Sequence, residues 1–146
     1  MHGIHFSIDT NAKSEDIEAL GKGLSEHSRP ITGSDGFLPL TVLARNSEGT
    51  LVGGVHGTIN WTWLHISILW VSADLRHRGL GSKLLGAIEA EGTSRGCVYA
   101  HLDTFSYQAK PFYERHGYAV FGILDEYPPG HQRIFLRKTL SQGGAA

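Results

Sequence analysis

Residues 69–82 constrain the fold of this chain more than any other stretch. They form the end of an apolar run, then a short basic turn with two glycines, then a segment with apolar residues at helical spacing. A strand, a glycine-containing turn and a helix in this order present free backbone N–H groups and the positive end of a helix dipole to a phosphate. Arg76 and Arg78 add charge, and Gly79 and Gly81 let the backbone approach a ligand. The stretch predicts a phosphate-binding turn, with a solvated basic helix start as the simpler alternative.

Composition and charge exclude several classes of protein. The chain has 146 residues and a formal net charge of −1, which gives no basis for binding nucleic acid or an anionic membrane surface. Its one cysteine, Cys97, cannot form an intrachain disulfide, which favours a reducing compartment such as the cytoplasm. We find neither a run of about 18 apolar residues, as a membrane-spanning helix needs, nor a secretory signal in residues 1–9. The nine histidines show no metal-ligand spacing, so no metal site is expected.

Hydrophobic periodicity predicts the order β-α-β-β-β-α-β-α-β-β. The strands are predicted at residues 4–8, 40–45, 51–62, 63–71, 98–104, 118–123 and 133–138. The first helix is predicted to begin with Ser14 as its N-cap and to end before a loop at residues 28–36. The second is predicted from Leu80 to near Gly92 or Gly96, and the third carries Pro111 in its first turn and ends before Gly117.

Turn residues and glycines add local detail. Residues 46–49 have the composition of a tight hairpin turn between the second and third strands. The glycines at positions 53, 54 and 57 predict a bulge or a close backbone approach in the returning strand.

The element order predicts an α/β fold with the strand directions of an α+β protein. The strand–helix–strand unit around the basic turn should form a parallel pair with a right-handed crossover, and the outer strands should be antiparallel. The result is a mixed sheet with helices on both faces. We expect one domain over residues 1–141 and a frayed tail over residues 142–146.

A second motif makes the first more specific. Arg76-x-x-Gly79-x-Gly81 resembles the pyrophosphate-loop motif of the GNAT superfamily of N-acetyltransferases. Residues 109–118, Ala-Lys-Pro-Phe-Tyr-Glu-Arg-His-Gly-Tyr, are similar to the same family's Ala-x-x-Phe-Tyr-x-x-x-Gly-Phe/Tyr signature and follow with a helix and a strand between. The resemblance covers nearly the whole chain, least well between residues 11 and 36. It implies the acyl-CoA N-acyltransferase fold, a centrally splayed sheet and acetyl-CoA as the cofactor.

The resemblance also implies which residues contact the coenzyme. The strand end would pair with the pantetheine amides, a backbone N–H near Leu69 or Trp70 would hold the acetyl oxygen, and the turn would hold the pyrophosphate. Ser106 departs from the family, which often has Asn at this position. The predicted coenzyme contacts are Leu69, Trp70, Val71, Arg76, His77, Arg78, Gly79, Leu80, Gly81, Ser82, Ser106 and Phe112.

Two residues are the predicted catalytic groups. In the family's pattern the phenol of Tyr113 faces the sulfur and protonates the leaving thiolate; the alternative is a packed ring with a bonded hydroxyl. A primary amine is mostly protonated at neutral pH, so it must lose a proton before it attacks. His65 stands where histone-type members place a glutamate base, and a structural histidine is an equal alternative. His101, Asp103 and Glu126 are further candidates, as is a relay through water.

The acceptor is predicted from aromatic and acidic residues. Asp35, Trp63, Asp103, Phe105, Tyr107 and Glu126 are the predicted substrate-binding residues, with Trp61, Asp125 and Tyr127 beside them. The same aromatics are equally consistent with core or dimer contacts, and a homodimer is the family's habit. Resemblance to small bacterial members predicts a small-molecule amine as the acceptor, with an aminoglycoside as the working hypothesis. The alternatives are a protein N-terminus, a lysine, or an inactive regulatory module that binds the coenzyme.

Overall fold

The computed structural model of the chain describes residues 3–140 in two compact units, Met1–Asp35 and Gly36–Ala146. The single domain predicted for residues 1–141 stays a prediction, and the tail predicted for residues 142–146 lies outside the described residues. None of the helices in residues 3–140 combines the length and the apolar character needed to cross a membrane.

The first unit contains one helix, α1 (Ser14–Thr32), and no strand among its described residues. The strand predicted at residues 4–8 is therefore wrong. Alternating polarity indicates which side of a strand would be apolar, but a strand also needs a neighbour for its backbone N–H and C=O groups. Residues 4–8 have no partner strand within the described part of their own unit.

The bounds of α1 correct the prediction at both ends. Lys13, not Ser14, is the N-cap, and it makes no side-chain capping bond. The helix also continues through Pro30 to Thr32, where a loop was predicted. In this last part of the helix the hydroxyls of Ser28 and Thr32 donate to the carbonyls of Leu24 and Ser28, at 3.1 and 3.3 Å. Gly33, with φ of 73°, ends it.

The second unit contains a six-stranded mixed sheet with strand order β1-β2-β3-β4-β6-β5. The strands are β1 (Leu38–Arg45), β2 (Leu51–Asn60), β3 (Trp63–Val71), β4 (Tyr99–Phe105), β5 (Ala119–Asp125) and β6 (Gln132–Thr139). Only β3 and β4 pair in parallel; every other neighbouring pair is antiparallel. The predicted fold class and the positions of these six strands are confirmed.

The predicted hairpin turn lies between β1 and β2. The side chain of Asn46 accepts the backbone N–H groups of Glu48 and Thr50, each at 3.0 Å, and Gly49 adopts a φ of 81°. The β2 glycines mark close approaches, as predicted. A Cβ at Gly57 would stand 2.5 Å from the carbonyl oxygen of His65, beside a register shift in the β2–β3 ladder.

Two α-helices, α2 (Leu80–Ser94) and α3 (Lys110–Arg115), and one 3₁₀ turn (Ala73–Leu75) complete the described part of the second unit. α2 connects the parallel strands β3 and β4, and α3 follows β4. They share one hydrophobic core with the sheet, whose fully buried side chains include Leu64, Leu85, Ile88, Leu102 and Leu136. Along β3 and β4 the residues between these core positions, such as His65 and His101, point to the opposite face of the sheet.

Candidate active site

The parallel strands β3 and β4 separate in the middle of the sheet. Their register runs from Trp63 opposite Tyr99 to Ile66 opposite Leu102 and then stops, although β3 continues to Val71. A cavity of about 300 Å³ lies at this divergence. Its lining residues are Ile66, Ser67, Ile68, Leu69, Asp103, Thr104, Phe105, Gln108, Ala109 and Tyr113. The predicted splay is therefore present, and it opens a site between two strands of a rigid sheet.

The end of β3 has backbone groups that β4 does not use. Beyond Ile66 the strand pairs with β2 on its other edge only. An extended ligand can add to such an edge as a further strand, because N–H and C=O groups alternate along it. Leu69, a predicted coenzyme contact, lies in the wall of the cavity.

The basic turn follows directly. His77 and Gly79 have positive φ angles of 65° and 84°, and Gly79 is the N-cap of α2. The first backbone N–H groups of α2 precede the first intrahelical bond, which Lys83 donates to Gly79, and so are available to an anion. Arg76 braces the turn, because its Nε donates to the carbonyl of Val71 at 3.0 Å.

The two sequence motifs touch each other. A Cβ at Gly81 would lie 3.5 Å from the ring of Phe112, which is ordinary contact distance. The hydroxyl of Ser82 is hydrogen-bonded to Nε2 of His116 at 2.9 Å, and the His116 ring meets Phe112 edge-on. The start of α2 is thus held against α3, the helix that carries Tyr113.

Tyr113 is buried in the wall of the cavity, with 8% of its surface exposed. Burial, and to a lesser extent the charge of Asp103, raises the pKa of Tyr113 to about 12. The phenol is therefore protonated at neutral pH and can act as a proton donor. Its neighbour Tyr118 differs, because the Tyr118 hydroxyl donates to Glu89 at 2.6 Å and is already used. Within residues 3–140 the Tyr113 hydroxyl has no such bond.

Asp103 is held by an arginine from β6. Arg133 donates from Nε and Nη2 to the two carboxylate oxygens of Asp103, at 2.7 and 3.0 Å. A third donor, Nη1, reaches the hydroxyl of Tyr127 at 3.0 Å. Bidentate pairing of this kind fixes the plane of the carboxylate as well as its position. Asp103 therefore presents a rigid negative group to the cavity.

Aromatic rings surround Phe105, a residue of the cavity wall. Phe105 stacks on Tyr107 with ring centroids 5.6 Å apart and lies 5.9 Å from the ring of Tyr127. His131 meets Tyr107 edge-on, and the Arg133 guanidinium lies 5.0 Å from the Tyr127 ring. We call Phe105, Tyr107, Tyr127 and His131 the aromatic cluster. Of these, Phe105 lines the cavity itself.

The other predicted residues lie elsewhere. His65 stacks on His101 and does not line the cavity. Trp63 stacks on Tyr99 and lines a second cavity of about 620 Å³ with Arg137 and Lys138. Ser106 accepts the backbone N–H of Gln132 at 2.9 Å.

Two acidic residues that were predicted to bind the substrate line neither cavity. Glu126 is exposed in the β5–β6 turn with a φ of 57°. Asp35 belongs to the first unit.

Arg133 and His116 are site residues that the sequence did not predict. Their partners, Asp103 and Ser82, stand 30 and 34 positions away in the sequence. An arginine at the start of a predicted strand gives no signal of such a pairing, whereas His116 lies inside the second motif and could have been singled out there.

Comparison with known proteins agrees with both motifs. The family model of the acetyltransferase (GNAT) family matches residues 15–118. This chain belongs to the GNAT family. It is 40% identical over 106 residues to a blasticidin-S acetyltransferase of Streptomyces morookaense, an alignment that covers 70% of this chain and 78% of that protein.

Solved structures of other acetyltransferases have the same fold. The crystal structure of an acetyltransferase from Bacillus cereus shares 34% identity with a TM-score of 0.87, covering 96% of this chain and all of that one. An aminoglycoside 6′-N-acetyltransferase crystallised with coenzyme A, at 21% identity and a TM-score of 0.63, covers 86% of this chain and 84% of its own and shares the fold. Membership of the GNAT family makes the protein an acetyl-CoA-dependent N-acetyltransferase. The residues present fit this cofactor, since the cavity, the free strand edge and the helix start follow one another along the chain.

Proposed function

We propose that this acetyltransferase modifies a primary amine of a small cationic antibiotic, with blasticidin S as the first acceptor to test. The observation that carries the proposal is the meeting of Tyr113 and Asp103 in the wall of one cavity at the splay. One group can protonate a leaving thiolate, and the other can attract an ammonium group. The relative from Streptomyces morookaense supports the choice of acceptor. The predicted aminoglycoside stays in the test as a second acceptor.

The coenzyme would contact the start of α2, then the free edge of β3, and then the cavity. The diphosphate would bind the N–H groups at the start of α2, with Arg78 nearby, and the pantetheine amides would pair with the free edge of β3 between Ser67 and Val71. The thioester would then reach the cavity beside Leu69, where a backbone N–H can hold the acetyl oxygen. Tyr113 would face the sulfur.

The acceptor would enter from the end of the cavity where Asp103 and Phe105 lie. Arg133 already holds the Asp103 side chain in place. Little side-chain entropy is therefore lost at Asp103 when a cationic ligand binds. The aromatic cluster offers flat apolar faces next to that charge, which suits an acceptor with a planar group. Glu126, exposed in the adjoining turn, adds a second negative charge.

The direct test is acetyl transfer by the purified full chain. Free thiol release is followed with acetyl-CoA and, separately, blasticidin S, an aminoglycoside, a peptide with a free N-terminus and a lysine peptide. We expect turnover with blasticidin S, and mass spectrometry of the product should show one added acetyl group. Turnover confined to a peptide would refute the small-molecule acceptor. Binding of coenzyme A by calorimetry without turnover on any amine would indicate a regulatory module instead.

The role of Tyr113 has its own matched pair of variants. Tyr113→Phe should lower kcat by about 10²-fold, the usual contribution of one proton-transfer group, and leave coenzyme A binding unchanged. Tyr99→Phe removes a hydroxyl from a ring outside the cavity and should leave kcat unchanged. Equal kcat values for the two variants would show that the phenol of Tyr113 only packs.

A further inference from the structure

Two histidines form a stacked pair where β3 and β4 begin to separate. The ring centroids of His65 and His101 are 4.5 Å apart, and the planes differ by 10°. The two residues are direct partners in the parallel register, one step before its last pair, Ile66 and Leu102. Trp63 meets the His101 ring edge-on at 5.6 Å, which holds that ring from a second side. The pair thus lies within the sheet, one register step before β3 and β4 separate.

Charged groups face His101 from each strand that borders it. On β3 the neighbour is His65 itself, and on β4 it is Asp103, the next residue on the same face and part of the cavity wall. On β6 the register partner of His101 is Arg137, and Arg133 pairs with Asp103. Burial lowers the pKa of His101, His65 lowers it further, and Asp103 acts in the opposite direction. His101 is therefore neutral at neutral pH and able to accept a proton.

Two positive charges on rings this close would repel each other strongly. A proton on one ring therefore disfavours a proton on the other. Asp103 connects His101 to the cavity, because it is adjacent on that face of β4 and lines the cavity. After the Asp103 carboxylate itself, the imidazole of His101 is the next proton acceptor on that face of β4.

We propose that the stacked pair His65–His101 takes the proton that the acceptor's ammonium group must lose, with His101 as the ring that holds it. This inference rests on the proposed function, since it presumes an amine acceptor at Asp103. The ammonium gives one proton to His101, directly or through one water, and the imidazolium that forms later releases it to solvent. Burial and the neighbouring His65 favour that release because both lower the pKa of His101, whereas the charge of Asp103 opposes it.

The remaining bond changes form an amide and release coenzyme A. The neutral amine nitrogen bonds to the carbonyl carbon of the thioester, and the carbon–sulfur bond breaks. Tyr113 gives its phenolic proton to the sulfur and regains one from the nitrogen as the amide forms. The products are the acetylated amine, coenzyme A and the one proton delivered through His101.

The experiment measures kcat/KM for the acceptor from about pH 5 to about pH 9, the range in which imidazoles titrate. In the parent, kcat/KM should fall at low pH as His101 becomes protonated, and this fall is the acidic limb of the profile. His101→Gln should remove the acidic limb and lower kcat/KM at neutral pH by about 10²-fold. His65→Phe keeps a ring in the stack but cannot carry a proton. Because His65 lowers the pKa of His101, this variant should move the acidic limb to higher pH.

A second readout does not depend on turnover. Imidazole titration of the free protein by NMR should show the midpoint of His101 rising in His65→Phe. His56→Gln is the matched control: His56 lies on β2, where its Nδ1 is hydrogen-bonded to Thr41 at 2.7 Å, and its loss should change neither the profile nor the His101 titration. Coenzyme A binding by calorimetry checks that each variant keeps its coenzyme site.

The outcomes separate this inference from the proposed function. An acidic limb that persists in His101→Gln, with kcat/KM within about threefold of the parent, overturns the role of His101. If that variant does not fold, His65→Phe decides alone, and an unmoved limb and NMR midpoint overturn the pair. A parent enzyme that binds coenzyme A but acetylates no amine refutes the proposed function instead.

Discussion

Gly57 is the position where one added methyl group should do most damage to the sheet. A Cβ there would lie 2.5 Å from the carbonyl oxygen of His65, which is backbone of the neighbouring strand and cannot rotate away. Ordinary carbon–oxygen contacts in sheets are about 3.3 Å or more, so β2 and β3 must part by roughly 0.8 Å. Stretching about two ladder hydrogen bonds and straining the packing should cost about 2–4 kcal/mol in Gly57→Ala.

The assay is urea denaturation followed by tryptophan fluorescence and far-UV circular dichroism. Gly86→Ala is the matched control, because Gly86 lies inside α2 and a Cβ there would meet nothing within 4 Å. That variant should stabilise the chain by about 0.5–1 kcal/mol through better helix propensity. A Gly57→Ala variant within about 0.5 kcal/mol of the parent would refute the contact argument, since surface substitutions alone reach that level.

Further predictions concern the core, the carboxylate clamp and the buried phenol. Tyr118→Phe should cost about 1.5–3 kcal/mol, because it removes a hydrogen bond to the charged Glu89; an unchanged denaturation midpoint would contradict this. Arg133→Lys should raise KM for the acceptor about 10-fold or more and leave KM for acetyl-CoA unchanged, because lysine cannot pair with Asp103 through two donors. Equal losses for both substrates would instead indicate general disorder of the site. The pKa of Tyr113 is about 12 when folded and 10.0 in its ordinary state, so the unfolded chain loses this proton first and stability falls as pH rises between these values. At about pH 11 the free energy of unfolding of Tyr113→Phe should have fallen by about 1 kcal/mol less than that of the parent. The same pH dependence in both proteins would contradict the effect of burial on this phenol.

Most of the fold could be predicted because its turns and helix ends depend on residues close together in the sequence. The hairpin turn at Asn46, the helix start at Gly79 and the helix end before Gly117 each depend on residues within a few positions, so their sequence signals are direct. The predictions that failed needed non-local information. Residues 4–8 alternate correctly for a strand but have no partner strand within the described part of their own unit, and α1 continues through Pro30, where a break was predicted.

The candidate site divides in the same way. The sequence by itself determined the two motifs, the strand–turn–helix unit between Leu69 and Ser82, and the family to which the chain belongs. Tertiary structure decided that β3 and β4 part after Ile66, that Arg133 clamps Asp103 and that His65 stacks on His101. These contacts join residues some 30 or more positions apart. They depend on strand register, which the whole sheet sets through its turns, bulges and packed core rather than through any one stretch of chain.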